Sequence, residues 1–232
     1  MLRKRGLGRA LPKQETPDHL PAATGLERLD AQLGGGLPRG RVSEITGPES
    51  SGRTALVFSL LARATQRGEV AAYIDATDCL DPRSALAAGI VLDRLLWVRC
   101  ESRERSRYEQ LVLKQQPVDH AWQAANLVAS AGGFGVIVID LGGLSLRKQR
   151  EWQRHQWIRL KQAIEHTSTA LVTLSERRLV GSAAGLSLAL SRSHAHWEGE
   201  RGISLLLNGL AFEVNVARKL TVAEPRGLAS GF

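Results

Sequence analysis

The sequence has few cysteines and no long apolar segment. Its two cysteines, Cys79 and Cys100, belong to no C-x-x-C motif and no Cys/His cluster, which excludes a disulfide framework and a structural zinc site. No apolar run approaches the roughly 20 residues that a membrane span needs. The basic residues at the start are not followed by the apolar segment of a secretory signal. We therefore expect a protein of a reducing, cytoplasmic compartment that does not associate with membranes.

Acidic residues are outnumbered by basic ones, and lysine is scarce. The 31 Lys+Arg against 23 Asp+Glu give a formal net charge of +8, and 25 of the basic residues are arginine. Arginine binds phosphate through two parallel hydrogen bonds, so this excess suits a nucleic-acid-binding surface, although a GC-rich genome produces the same bias. The hydrophobic share of 43% and the charged share of 23% are typical of a globular protein.

The pattern along the chain indicates one globular domain with two polar ends. We expect a flexible basic arm over residues 1–23, a core domain over 24–222 and a disordered tail over 223–232. Short apolar strands alternate with helices in the core, which predicts an α/β fold with a mostly parallel sheet flanked by helices. Asn208-Gly209 separates two apolar runs and predicts a C-terminal antiparallel hairpin with a type I′ turn at that dipeptide.

A glycine-rich segment predicts a phosphate-binding P-loop. It follows a predicted strand, Arg41–Thr46, and opens a predicted helix, so its N–H groups can converge on phosphate oxygens. Thr54 would offer a hydroxyl to Mg²⁺, and Asp140, at the end of an apolar strand, would bind that ion through water. The candidate nucleotide-binding residues are Gly47, Pro48, Glu49, Ser50, Ser51, Gly52, Arg53, Thr54 and Asp140.

Arg53 stands where the P-loop pattern requires a lysine. A guanidinium is wider and flatter than the compact ammonium that fits between the phosphates. Two interpretations stay open: the loop binds Mg-ATP weakly, or it is a turn that holds no nucleotide.

Three segments resemble the family of the bacterial recombinase RecA: GRVSEITGPESSGRT (40–54), YIDATDCLDP (73–82) and VIVID (Val136–Asp140). The resemblance implies a RecA-type ATPase core and an ancestry in DNA repair. It also brings out two departures, because Thr77 stands where the family has the glutamate that orients the attacking water, and Glu176 where it has a glutamine that senses the γ-phosphate. Together with Arg53, these departures argue against efficient ATP hydrolysis, and we assign no catalytic residue.

A chain of this size with a basic arm and an altered P-loop resembles the ImuA family. That resemblance implies a non-recombinogenic accessory protein of the SOS response that acts in error-prone translesion DNA synthesis. Its implied partners are the RecA recombinase, an ImuB-like homologue of Y-family polymerases, an error-prone replicative-type polymerase subunit and single-stranded DNA, and its implied location is the nucleoid. The alternative is an active, DNA-stimulated ATPase that uses the variant P-loop.

A basic segment with two tryptophans follows Asp140. Basic side chains contact phosphates while aromatic rings stack on bases, so this pattern suits single-stranded nucleic acid. The spacing of Trp157, Leu160 and Ile164 equally suits a helix face that packs on the sheet, and Glu151 and Trp152 suit a partner surface. The predicted DNA-binding residues are Arg147, Lys148, Arg150 and Arg154.

Overall fold

The computed structural model describes residues 20–100, 117–149, 151–198 and 206–219. Most of the predicted basic arm, the predicted tail and Arg150 lie outside these ranges. Of the arm, residues 20–23 are described, and Ala22 is buried and forms an antiparallel bridge with Leu37. This bridge fixes the segment that leads into the first helix.

A seven-stranded sheet organises the chain, in the order β3-β2-β4-β5-β1-β6-β7. All neighbouring strands are parallel except β6 and β7, which are antiparallel. The predicted α/β fold with a C-terminal antiparallel hairpin is therefore confirmed. The strands are β1 (Arg41–Thr46), β2 (Ala71–Asp75), β3 (Leu95–Arg99), β4 (Val136–Asp140), β5 (Ala170–Ser175), β6 (Ala184–Glu198) and β7 (Leu206–Lys219).

Helices cover both faces of the sheet. One apolar cluster joins the strands to buried residues of α1, α2 and α3, and a second joins them to α4 and α6. Burial on both faces explains why the central strands are almost continuously apolar. The α-helices are α1 (Glu27–Leu33), α2 (Arg53–Gln66), α3 (Pro82–Ala87), α4 (Pro117–Ala131), α5 (Leu146–Gln149) and α6 (Arg154–Ile164), with short 3-10 helices at Leu92–Arg94 and Gly181–Ala183. None of the helices in the described ranges is long and apolar enough to cross a membrane.

The predicted turn at Asn208-Gly209 is wrong. Both residues lie inside β7, where Gly209 pairs with His196 and Leu207 pairs with Trp197. Asn208 is left without an opposite residue at a shift of register between these pairs. Glycine inside a strand often marks such a bulge. The hairpin is instead formed by β6 and β7, and residues 199–205 between these strands lie outside the described ranges.

The parallel strands end at one edge of the sheet, which we call the carboxyl edge. The loops that follow β1, β2, β4 and β5 all begin there, because these strands run in the same direction. In open α/β sheets this is the edge at which ligands bind. The P-loop, Thr77, the basic segment and Glu176 therefore share one end of the molecule.

Candidate nucleotide site at the carboxyl edge

The P-loop occupies the space between β1 and α2. Gly47 comes directly after β1 in close contact with β6, since a Cβ built on it would lie 2.4 Å from the carbonyl oxygen of Leu190. Gly52 precedes α2 with a φ of 92°, in the left-handed region that glycine adopts without strain. The predicted strand, glycine-rich loop and helix are thus present in that order.

Unpartnered donors converge inside this loop. In this loop the N–H of Gly47 donates to the carbonyl of Ser175 and the N–H of Ser51 to the carbonyl of Pro48, both at 3.3 Å. The other N–H groups from 49 to 54 have no backbone partner in the described part of the chain. The Oγ of Ser51 and the Nη1 of Arg53 are buried and also lack a hydrogen-bond partner among the described residues. Free donors at a helix N-terminus suit an anion such as a phosphate.

The Arg53 guanidinium is turned toward the end of β4. A Cβ built on Gly142 would lie 3.4 Å from both Nη1 and Nη2 of Arg53, and 3.1 Å from Oδ1 of Asp140. The same small volume therefore contains the fixed positive charge of the loop and the carboxylate of Asp140.

Asp140 is already engaged by its own chain. The hydroxyl of Tyr73 donates to Oδ2 at 2.5 Å, and the N–H of Gly142 donates to Oδ1 at 2.8 Å. Burial raises the pKa of Asp140, and these two hydrogen bonds and the Arg53 charge offset only part of that rise. Burial, followed by the Asp140 charge, holds the pKa of Tyr73 well above its ordinary value. The two side chains thus share one buried hydrogen bond, from the Tyr73 hydroxyl to the Asp140 carboxylate.

The residues fit a phosphate better than they fit magnesium. The free donors of the loop are the groups that phosphate oxygens require. A magnesium ion, in contrast, would approach a carboxylate whose two oxygens both accept hydrogen bonds and beside which a guanidinium lies. Thr54, the other predicted magnesium residue, is exposed on the first turn of α2. We therefore derive no step through a metal ion.

Thr77 and Glu176 lie at the same edge. The Oγ1 of Thr77 donates to Sγ of Cys79 at 3.3 Å, and it lies 2.4 Å from the position of a Cβ built on Gly143. Thr77 therefore faces the loop that follows Asp140. An aliphatic hydroxyl cannot act as a general base at neutral pH. Glu176 follows β5 directly and is partly buried, so it adds a carboxylate to this edge of the sheet, and a carboxylate repels a nearby anion.

Two buried carboxylates that the sequence analysis missed hold the neighbouring loops. Asp75 accepts hydrogen bonds from the N–H groups of Cys79 at 3.1 Å and Leu80 at 2.8 Å, and Nε1 of Trp97 donates to it at 3.2 Å. In the sequence, this role of Asp75 is indicated only by an acidic residue at the end of an apolar strand, Ala71–Asp75. Asp75 fixes the loop that carries Thr77.

Glu44 has the corresponding role for the loop after β5. Its side chain lies in the middle of β1 and is fully buried. Oε1 accepts the N–H groups of Leu179 and Val180, and Oε2 lies 3.7 Å from Nε of Arg178. An acidic residue at a central position of an apolar strand is the only sequence indication of such an anchor.

The basic segment is exposed, but its tryptophans are not. Arg147 and Arg154 are exposed and Lys148 is partly exposed, on α5 and at the start of α6. Trp157 is buried in the apolar cluster, as the helical spacing predicted. The interpretation of Trp152 as a partner surface is wrong, because this side chain is also buried and its ring centroid lies 4.7 Å from that of Trp157. The aromatic rings in this segment therefore cannot stack on bases.

Comparison with known proteins agrees with this architecture. The family model described as the RecA N-terminal domain matches residues 9–142, which include the P-loop and Asp140. Protein RecA of Thermus thermophilus is 39% identical over 131 residues, which cover 56% of this chain and 33% of the relative. Protein RecA of Methylococcus capsulatus is 42% identical over 118 residues, which cover 50% and 30%. The chain spans about a third of the length of these curated relatives. This family model matches more than half of the chain. The chain therefore belongs to the RecA N-terminal domain family.

Proposed function

We propose that this protein is a non-recombinogenic RecA-like accessory protein of the SOS response, of the ImuA type, that acts in error-prone translesion DNA synthesis. The observation that carries the proposal is that the Asp140 side chain is already engaged by other side chains of this chain. Its carboxylate is bonded to Tyr73 and lies beside the guanidinium of Arg53. In this RecA-like core, the carboxylate predicted to bind magnesium is instead bonded to a neighbouring side chain. This arrangement suits a binding protein better than an ATP-hydrolysing enzyme.

The other parts of the phosphoryl-transfer machinery point the same way. Thr77 supplies no general base, and Glu176 brings a negative charge to the edge at which phosphates would lie. Positioning and proton transfer each contribute several powers of ten to such a reaction. Their joint loss leaves ATP turnover negligible, whereas the fold that partners recognise is retained.

The proposed partners follow from the family and from the exposed charges. We assign to the protein the RecA recombinase, an ImuB-like polymerase homologue, an error-prone replicative-type polymerase subunit and single-stranded DNA. It would act in the cytoplasm, at the nucleoid. The DNA would contact Arg147, Lys148, Arg150 and Arg154, while the P-loop, 47–54, would hold a nucleotide only weakly.

Binding and hydrolysis test this proposal separately. Purified protein is passed over immobilised RecA and over an immobilised ImuB-like protein, with an unrelated DNA-binding protein as the control bait. We expect retention on both specific baits. In parallel, steady-state phosphate release is measured with and without single-stranded DNA, and we expect it to equal that of an Asp140→Ala variant. Retention on neither bait contradicts the accessory role. DNA-stimulated release that the Asp140→Ala change abolishes would instead support the ATPase alternative.

A further inference from the structure

The cluster around Asp140 contains a hydroxyl that the P-loop pattern does not call for. Tyr73 lies on β2, which is the neighbour of β4 in the sheet, and its ring packs edge-on against Phe58 of α2 with centroids 6.5 Å apart. This packing fixes the ring, so that its hydroxyl reaches Oδ2 of Asp140 at 2.5 Å. The side chain is 1% exposed. A buried hydroxyl needs a partner, and Asp140 supplies it.

We propose that the P-loop of this protein binds the polyphosphate of a nucleoside triphosphate without magnesium, and that Tyr73 is the residue that excludes the metal. The inference starts from the same Tyr73–Asp140 contact as the proposed function, but it does not require the accessory role. It concerns how the site selects its ligand, whichever partners the protein has.

Magnesium is excluded because the carboxylate that would bind its water shell is already bonded to Tyr73. The ion requires near-octahedral coordination at about 2.0–2.1 Å and carries its own shell of water. Oδ2 of Asp140 already accepts the Tyr73 hydroxyl, and a shift of the carboxylate toward that shell would stretch this bond and leave a buried hydroxyl without a partner. The ion would also approach the positive charge of Arg53. Both effects weaken a magnesium complex while leaving the donors of the loop unchanged.

The phosphates, in contrast, find donors that are already in place. The free N–H groups of the loop, the Ser51 hydroxyl and Nη1 of Arg53 lack hydrogen-bond partners among the described residues. A guanidinium carries a permanent charge and several donors, so it can take over the charge neutralisation that the metal ordinarily provides. This arrangement gives binding without the geometry that hydrolysis requires.

The test is the magnesium dependence of nucleotide affinity. A non-hydrolysable ATP analogue is titrated by calorimetry into the full-length protein, once with excess Mg²⁺ and once with EDTA. For the unmodified protein we expect dissociation constants that agree within about twofold. For Tyr73→Phe, which keeps the ring and removes the hydroxyl, we expect Mg²⁺ to tighten binding by about tenfold or more. Tyr108→Phe, the same change at the other tyrosine, is the matched control and should behave like the unmodified protein.

Three results would overturn the inference: binding by the unmodified protein that requires Mg²⁺, no binding either with or without Mg²⁺, or a folded Tyr73→Phe protein that gains nothing from Mg²⁺. If Tyr73→Phe fails to fold, Tyr73→Leu, which also removes the hydroxyl, is used in its place with the same expectation. Binding by the unmodified protein that Mg²⁺ tightens well beyond about twofold contradicts the inference by itself. Retention on the RecA and ImuB-like baits does not depend on any of these results.

Discussion

The ring of Phe212 on β7 lies directly against Gly52 of the P-loop. A Cβ built on Gly52 would come within 2.6 Å of Cδ1 and 2.7 Å of Cγ of that ring. Phe212 also packs against the apolar cluster that contains α1 and α2. The last strand of the sheet therefore supports the loop that the first strand presents, although more than 150 residues separate them in the sequence.

This contact predicts that alanine is poorly tolerated at position 52. Gly52→Ala places a side chain both at a positive φ of 92° and against the Phe212 ring, so we expect a loss of about 2–4 kcal/mol in the free energy of unfolding. Gly34→Ala is the matched control, because Gly34 has a φ of 78° with no atom within 4 Å of the added Cβ. Its expected cost is about 1 kcal/mol. Urea denaturation measures both.

A double-mutant cycle isolates the steric part of that cost. When Phe212→Ala is combined with Gly52→Ala, the space for the new methyl group is restored, so the two changes should be less than additive by about 1 kcal/mol or more. The same cycle with Gly34→Ala should be additive. Equal costs at positions 52 and 34 would show that the ring does not constrain the loop.

The buried carboxylate of Glu44 leads to a second prediction. Glu44→Ala leaves the N–H groups of Leu179 and Val180 without their acceptor in the interior, and we expect destabilisation by about 2–5 kcal/mol. Glu151→Ala, at an exposed position, is the control and should cost less than about 0.5 kcal/mol. Urea denaturation again provides the free energies. A small effect at Glu44 would mean that another group anchors this loop.

The strands and the P-loop could be predicted because their patterns are local. The apolar run Val136–Asp140 and the glycines at 47 and 52 identify a buried strand and a strand–loop–helix unit without any knowledge of the rest of the fold. Asn208-Gly209 is also a local pattern, but the pairing of β6 with β7 places it within a strand. At this dipeptide, the hydrogen-bonded pairing of two long antiparallel strands outweighs the local preference for a turn.

The Tyr73–Asp140 contact could not be predicted from the sequence. It depends on β2 lying next to β4 in the sheet, and neither residue indicates that order. Trp152 is similar, because its Nε1 donates to the carbonyl of Val118 on α4, 34 positions away. Polar groups on aromatic rings find partners through the tertiary fold, so their roles become visible only in the structure.

The two cysteines should differ strongly in reactivity. Burial, together with the nearby charge of Asp75, raises the pKa of Cys100 to about 12, whereas Cys79 is exposed. The thiolate is the nucleophile, and at pH 8 only about one in ten thousand Cys100 side chains is a thiolate. This fraction rises as the pH approaches 12. Iodoacetamide at pH 8 should therefore label Cys79 alone, as mass spectrometry of peptides can measure.

A Cys79→Ser protein provides the control for this experiment. It should remain unlabelled at pH 8 until denaturant is added, and then take up one label at Cys100. Rapid labelling of Cys100 in the folded Cys79→Ser protein would contradict the burial of that thiol.

The exposed basic side chains on α5 and α6 predict a salt-dependent affinity for single-stranded DNA. Each phosphate contact contributes about −0.7 to the slope of log K against log salt concentration. The Arg147→Ala/Lys148→Ala/Arg154→Ala protein should therefore bind more weakly. If each side chain contacts one phosphate, the negative slope should become shallower by about 2. Fluorescence anisotropy with a labelled oligonucleotide measures both quantities over a range of salt concentrations.

The charge-matched control for this prediction removes three other exposed arginines. Arg28 lies on α1, and Arg63 and Arg67 lie at the C-terminal end of α2, which points away from the carboxyl edge. Their joint replacement by alanine lowers the net charge by the same amount but should leave the salt slope unchanged. Because α5 and α6 follow Asp140 at the carboxyl edge, the difference between the two triple variants separates a local contact from a general effect of charge. Equal slopes in both variants would place the DNA elsewhere on the molecule.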